Sequence, residues 1–242
     1  MIHSAMKKIR LLLLVIAFCI PSEKAVAQDA EVYTYKKGDP NGTGKWYMGR
    51  EIAYVMGFQG MGWLERPERE KEENTSTLIA NMDIQPTDDI VDIGAGSGYH
   101  VFKMAPLANE GTVYAQDIQD EMLAAVDFRK KEFNATNVEL IKGSETSANL
   151  PANSVDKVLI VDVYHEFSYP VEMMASIKNA MRPDAELYLI EYRAEDPTVP
   201  IKEVHKMTEE QAVKEMEAAG FELKENIGNL PWQHCMVFIK KS

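Results

Sequence analysis

Between Asp89 and Tyr99 a short apolar run, Ile90-Val-Asp-Ile93, breaks straight into Gly94-Ala-Gly-Ser-Gly98. A mostly β-branched segment of this length suits a buried parallel strand. The glycines that follow let the backbone turn tightly and approach a ligand, because no Cβ stands in the way. Tyr99-His-Val-Phe-Lys-Met-Ala105 then reads as a helix. Strand, glycine turn and helix in this order suit an α/β fold with a ligand at the turn, although many tight turns without a ligand collect glycines too. The dinucleotide fingerprint requires Gly-x-Gly-x-x-Gly, but here the third glycine arrives one place early and Tyr99 stands in its position. That spacing weighs against a nicotinamide or flavin cofactor.

Beyond Ile90, strand patterns alternate with helical ones, the signature of a parallel sheet covered on both faces. Strands are expected at Thr112–Asp117, Asn137–Ile141, Val155–Val161 and Ala185–Ile190. Helices are expected at Glu121–Phe133 and Val171–Met181, the second stopped by Pro183. Thr208-Glu-Glu-Gln211 is a capping box opening a helix that Gly220 ends. Phe221–Asn226 and His234–Lys240 then suit a closing antiparallel pair. The expectation is a Rossmann-like, seven-stranded, mostly parallel sheet with an antiparallel last strand.

The N-terminal third is of a different kind. Lys7, Lys8 and Arg10 precede the apolar run Leu11–Ile20, and Ala25-Val-Ala27 supplies small residues before Gln28. A basic stretch, a short apolar stretch and an A-x-A site make a secretory signal peptide over residues 1–27, which implies export, in a bacterium to the periplasm. Ten apolar residues are too few to span a bilayer, so no stable membrane insertion is expected once the leader is cleaved. Cys19 follows Phe18, too large for a lipidation site, and its removal leaves Cys235 without a disulfide partner. Residues 28–75 read as an N-terminal cap and 76–242 as the α/β domain. Within the cap, Gly38-Asp-Pro-Asn-Gly-Thr-Gly-Lys45 misses the phosphate-loop spacing, and Trp46 stands where a magnesium-binding hydroxyl belongs, so it reads as a turn-rich loop. Arg50–Gly62 reads as an apolar lid or packing segment, and the charge-dense Trp63–Glu73 as a solvated helix face.

Charge narrows the partner class. The chain carries a formal net charge of −12, and the basic leader makes the remainder more negative still. Such a protein repels nucleic acid phosphates and anionic membrane surfaces, which points to a small-molecule substrate and not to nucleic acid.

Open α/β sheets bind ligands beyond the carboxyl ends of their strands, so the informative residues follow each strand. Asp117 ends the second strand about 20 residues beyond the last glycine, where a carboxylate accepts hydrogen bonds from a ribose. Ile118 is then placed against an adenine, and Gly143-Ser-Glu145, after the third strand, offers a polar side chain to its amine. Asp162-Val-Tyr-His-Glu-Phe167 crowds two carboxylates, a phenol and an imidazole after the fourth strand. His165 has an ordinary pKa of about 6.5, suited to a general base, with Glu166 beside it. Arg193, after the fifth strand, is a fixed cation that suits either an anionic substrate or an ion pair with one of the many acidic residues nearby. His205-Lys-Met207 precedes the capped helix and is expected to turn back to the same mouth.

Over residues 75–240 the chain resembles the class I S-adenosylmethionine-dependent methyltransferases. Gly94, Gly96 and Gly98 match motif I, Asp117 the ribose acid, and Asp162–Glu166 the motif after the fourth strand. Met181-Arg-Pro-Asp-Ala-Glu-Leu187 is similar to the family's Leu-Lys-Pro-Gly-Gly-x-Leu turn, with Asp184 and Ala185 replacing both glycines. The chain is also similar to exported bacterial methyltransferases with a Tyr-His-Glu-Phe run and a His-Lys-Met segment. The resemblance implies S-adenosylmethionine as cofactor, held by Asp92, Gly94, Ala95, Gly96, Gly98, Tyr99, Asp117, Ile118, Glu145 and Asp162. It leaves His165, Glu166 and Arg193 for the methyl acceptor. Two other readings stand beside it. One is a methyltransferase-fold binding protein of the cell envelope that has lost turnover, since export removes the chain from the cytoplasmic supply of cofactor. The other is a metal site built from Asp162, His165, Glu166, Glu191 and His205, which lacks the close HxxxH or HxH spacing; no metal is therefore assigned from sequence.

Overall fold

The computed structural model describes residues 32–241. The signal-peptide reading falls on residues outside that range. The chain begins with a small antiparallel sheet of β1 (Tyr33–Tyr35), β2 (Gly42–Tyr47) and β3 (Arg50–Ala53). Half of the stretch read as a turn-rich loop is therefore the strand β2. The reason is Glu51, whose carboxylate accepts from Asp39 N–H at 2.7 Å and Gly44 N–H at 2.9 Å. A Cβ at Gly42 would lie 2.3 Å from that carboxylate carbon, so the glycine serves strand pairing as well as turning.

A connecting segment follows, with α1 (Met61–Leu64), α2 (Arg69–Glu73) and α3 (Thr75–Asn81). The charge run over α2 is not simply solvated. Arg69 and Glu73 are both buried and paired at 2.7 Å, and Glu73 also accepts from Arg66 at 2.5 Å and from Tyr192 Oη at 2.9 Å.

The main domain alternates as its sequence pattern demands: β4 (Ile90–Ile93), α4 (Val101–Met104), β5 (Val113–Asp117), α5 (Asp120–Glu132), β6 (Val138–Lys142), β7 (Val155–Val161), α6 (Pro170–Ala180), β8 (Met181–Tyr192), α7 (Glu209–Ala218), β9 (Phe221–Asn226) and β10 (Gln233–Lys240). The seven strands are ordered β6-β5-β4-β7-β8-β10-β9. All pairs from β6 to β8 are parallel, and β10 runs antiparallel to both β8 and β9. Period-two alternation sorts the side chains between two cores. Val91, Ile93, Val158, Ile160, Leu187 and Leu189 meet α6 and α7 on one face. Ile90, Leu159, Val161, Tyr188 and Ile190 meet α3, α4 and α5 on the other.

Local chemistry sets the helix ends. Thr208 accepts from Gln211 N–H at 3.1 Å at the start of α7, and Pro170 occupies the first turn of α6. The helix read at 99–105 is only the single turn α4, preceded by the turn residues Tyr99 and His100. The turn read at 181–187 is strand: β8 begins at Met181, and a register shift opposite Val155–Lys157 takes up the irregularity.

Candidate functional site

Strand order reverses between β4 and β7, the place where an open α/β sheet opens a crevice. A cavity of about 450 Å³ lies there, lined by the carboxyl ends of β4, β5 and β7 and covered by Val55, Met56, Trp63 and Leu64. Its size is that of a small-ligand site.

One end is built from backbone. Gly94 and Gly96 take φ of +71° and +55°, a conformation that L side chains rarely adopt. Added Cβ atoms there would approach Val163 Cγ1 to 2.7 Å and Leu64 Cδ1 to 2.6 Å. β5 stitches the loop in place. Gln116 Oε1 accepts from Gly94 N–H at 3.2 Å, and Asp117 accepts from Gly96 N–H at 2.9 Å and Gln119 N–H at 2.8 Å. Burial pushes the Asp117 carboxyl up against these hydrogen bonds, which pull it down. Each of its oxygens keeps acceptor capacity for a hydroxyl.

The cavity wall also holds polar atoms with nothing to bind. Among the described residues, six buried side-chain polar atoms lack a hydrogen-bond partner, and four of them, Asp92 Oδ2, His100 Nε2, Gln116 Nε2 and Asp162 Oδ1, belong to residues that line the cavity; Asn226 Oδ1 and Gln233 Oε1 do not. Buried groups of this kind are costly, so four along one wall mark a place where a polar ligand completes them. Burial raises Asp92 to about 7 despite the opposing charge of Arg69. Burial, with Glu73 and Glu191 nearby, raises Asp162 well above the carboxylate range. Burial beside Arg69 and Lys103 drives His100 well below the usual imidazole range. A ligand with a cationic nitrogen near Asp92 and Asp162 relieves both.

The other end is built from side chains whose second atoms are held. His165, in a single helical turn after β7, is buried, and its Nδ1 lies 2.6 Å from Glu191 Oε2. With Glu191 as the acceptor, Nδ1 carries the proton, and in the neutral ring Nε2 carries the lone pair. Glu191 Oε1 also takes the His165 N–H at 3.3 Å, and Arg50 donates to the His165 carbonyl at 3.0 Å. Arg50 is itself fixed by Glu215 through bonds of 2.8 and 2.9 Å. Burial alone would lower His165, but the Glu191 carboxylate outweighs it and the pKa rises. His205 Nδ1 lies 3.0 Å from His165 Nε2. Burial, then His165 and Lys202, lower His205 to about 4, so it is neutral at pH 7. Glu166 Oε2 accepts from Met56 N–H at 3.2 Å, and burial raises this carboxyl to about 7.

The structure brings most of the residues singled out from sequence to this one cavity: Asp92, Gly94, Ala95, Gly96, Tyr99, Asp117, Ile118, Glu145, Asp162, His165, Glu166 and His205 all line it. Two do not. Gly98 packs behind the loop, where a Cβ would lie 2.7 Å from the Phe102 ring, so its absence of side chain serves packing. Arg193 donates to the carbonyls of Pro231 at 2.8 Å and Leu230 at 2.9 Å, which commits its guanidinium to the β9–β10 connection and not to a substrate. Reading the sequence missed Glu191 as the partner of His165, Gln116 as the loop's acceptor, and Arg50 and Arg69. Only Gln116 had a local signal, being polar inside an apolar strand and next to Asp117.

Comparison with known proteins identifies the family and the fold. A family described as a methyltransferase domain matches residues 84–235. The chain is 28% identical over 144 residues to the uncharacterized methyltransferase YdaC of Bacillus subtilis, covering 60% of this chain and 77% of that one. It is 34% identical over 103 residues to a tRNA U34 carboxymethyltransferase of Pseudoalteromonas translucida, covering 41% of this chain and only 30% of that protein. In fold it is similar to a crystal structure of a SAM-dependent methyltransferase from Aquifex aeolicus, with a TM-score of 0.72 at 21% identity, covering 76% of this chain and 98% of that one.

Proposed function

The chain belongs to the methyltransferase-domain family, and from that premise we propose that it transfers a methyl group from S-adenosylmethionine to a small-molecule acceptor. The cofactor fits the cavity on chemical grounds. Its ammonium matches the unpartnered carboxylate oxygens of Asp92 and Asp162, its ribose the Asp117 carboxylate, and its carboxylate the unpartnered Gln116 amide. The single observation that carries the reading is a cavity whose lining joins a glycine loop too tight for side chains to four residues that each keep a buried, unpartnered polar atom.

When bound, S-adenosylmethionine supplies an electrophilic methyl carbon on a sulfonium. The chain's own part is to align the acceptor, exclude water and take the acceptor's proton as the new bond forms and the carbon–sulfur bond breaks. His165 suits the proton's destination: Glu191 fixes its tautomer and leaves the lone pair on Nε2, which meets His205 at the cavity wall, and Arg50 fixes its backbone. Val55, Met56, Trp63 and Leu64 form an apolar cover that excludes water from the reacting atoms. Against a polyanionic acceptor stands the net charge of −12. Export to the periplasm, from the leader over residues 1–27, is part of the same proposal and has its own test below.

Calorimetry with S-adenosylmethionine and S-adenosylhomocysteine tests the reading, with one site per chain expected for each. Absence of binding to either sinks it. Binding without transfer to any acceptor favours a methyltransferase-fold binding protein without turnover.

A further inference from the structure

At the acceptor end, two imidazole nitrogens share one hydrogen bond, and a carboxylate oxygen stands beside them without one. His165 Nε2 and His205 Nδ1 are 3.0 Å apart. Glu166 Oε1 stands 3.9 Å from the first and 3.6 Å from the second, too far for a hydrogen bond to either. We propose that His165, Glu166 and His205 hold a divalent transition-metal ion, zinc or its first-row neighbours, at the acceptor end of the cavity.

Geometry carries the proposal. A point equidistant from the three atoms lies about 2.1 Å from each, the length of zinc bonds to imidazole nitrogen and carboxylate oxygen. Tetrahedral bonds of that length separate neighbouring ligand atoms by about 3.3 Å, so two edges of the triangle adjust by about 0.3 Å and the longest by about 0.6 Å. Two imidazoles and one carboxylate are a donor set that zinc, iron and manganese accept. Because all three residues line the cavity, the remaining coordination positions open toward it, the pattern of a catalytic site rather than a structural one.

The surroundings supply the outer contacts that metal ligands require. His165 offers its lone pair only because Nδ1–H is given to Glu191, a fully buried carboxylate, at 2.6 Å. Carboxylate–imidazole pairs of this kind orient metal-binding histidines and strengthen them as donors. Glu166 is anchored through Oε2 on Met56 N–H, which turns Oε1 inward as a single ligand atom. The three ligands come from two places distant in sequence, the turn after β7 and the turn before α7, so no short motif announces them. Without an ion, the His205 Nδ1–H donates to His165 Nε2 and the carboxylate oxygen stands apart. With one, His205 presents its lone pair and all three converge. The role rests on the methyl-transfer reading, in which the ion makes an acceptor hydroxyl acidic in place of the imidazole; the binding itself does not.

The full chain, stripped with a chelator and dialysed, is titrated with Zn²⁺ by calorimetry and with Co²⁺ by visible absorption. S-adenosylhomocysteine is titrated into the same samples. One equivalent of metal per chain is expected, with a ligand-field band for cobalt. His205→Ala, which alters the most exposed ligand, should abolish stoichiometric uptake while S-adenosylhomocysteine still binds, showing a folded chain. Glu191→Gln should keep the cobalt band, shifted, and weaken affinity by roughly 10–100-fold. A parent chain that binds S-adenosylhomocysteine but takes up no metal overturns the site, and the pair of histidines is then a proton relay. Undiminished uptake by His205→Ala overturns it too. Metal uptake without S-adenosylhomocysteine binding leaves this site standing and instead removes the cofactor reading.

Discussion

Replacing Asp92 by Asn separates what the cofactor end does for binding from what it costs the fold. Asp92 is 2% exposed, its Oδ2 has no partner, and burial raises its carboxyl from 3.8 to about 7. The sign follows from linkage. Below pH 4 the group is protonated in both folded and unfolded chains and has no effect. As pH rises to 7 the unfolded chain loses the proton and the folded one keeps it, so stability falls, and above 7 the deficit is constant. A shift of this size amounts to about 4 kcal/mol at the plateau. Asn brings two N–H donors that need partners, at a cost of roughly 1–3 kcal/mol, but that cost does not vary with pH. Urea unfolding of parent and variant from pH 5 to pH 8 is therefore the assay. The stability of Asp92→Asn relative to the parent should grow by about 2–3 kcal/mol across that range, while its affinity for S-adenosylhomocysteine falls. The parent's own affinity for the cationic ligand should rise as pH passes through 7, where Asp92 ionises. A difference that stays flat with pH refutes the reasoning, as does a variant that binds the cofactor as tightly as the parent.

Gly96→Val places a branched side chain at φ +55° and against Leu64, and S-adenosylhomocysteine binding by calorimetry should be lost by more than about 100-fold. His165→Asn should lower turnover by roughly 10²–10⁴-fold in a methyl-transfer assay and leave cofactor affinity near the parental value, and parental turnover would make His165 structural. Arg193→Ala should lower stability through the freed Leu230 and Pro231 carbonyls without changing the substrate requirement, measured by KM beside a melting curve. Export is checked by fractionation and mass spectrometry, with Gln28 expected as the mature N-terminus and an intact Met1 on cytoplasmic protein as the contrary result.

Sequence carried the parts of this site that are local. The glycine turn, the carboxylate closing β5 and the cluster after β7 each sit within a few residues of a strand end, and strand ends are where an open α/β sheet binds ligands. It failed where a side chain's partner is distant. Arg193 shares a strand end with Glu191, and both are charged. Nothing nearby reveals that Glu191 faces His165 while Arg193 reaches the carbonyls before β10. Arg50 and Glu215, 165 positions apart, fix the His165 backbone through a pairing that no periodicity encodes. The run Trp63–Glu73 was misleading for a related reason: its composition says solvent, yet Arg69 and Glu73 are buried because they satisfy each other and Tyr192. Gly38–Lys45 has turn composition throughout, and only its contact with Glu51 makes part of it a strand.

The two ends of the cavity are organised on opposite principles. At the acceptor end, Glu191, Arg50 and Met56 hold His165 and Glu166 through their outer atoms, so the inner atoms are fixed before any ligand arrives. Such preorganisation suits groups that must meet a reacting atom or an ion with little reorganisation. At the cofactor end the carboxylates and the amide are buried but left incomplete, and Asp162 also takes a left-handed φ of +53°. Those features oppose folding locally, whereas the two faces of the sheet bury continuous apolar clusters. Local conflict concentrated along one wall is difficult to explain as packing, since an apolar wall would be more stable. It is explained by a polar ligand that satisfies the wall when bound, which makes the cavity's unfavourable chemistry the strongest physical argument for its use.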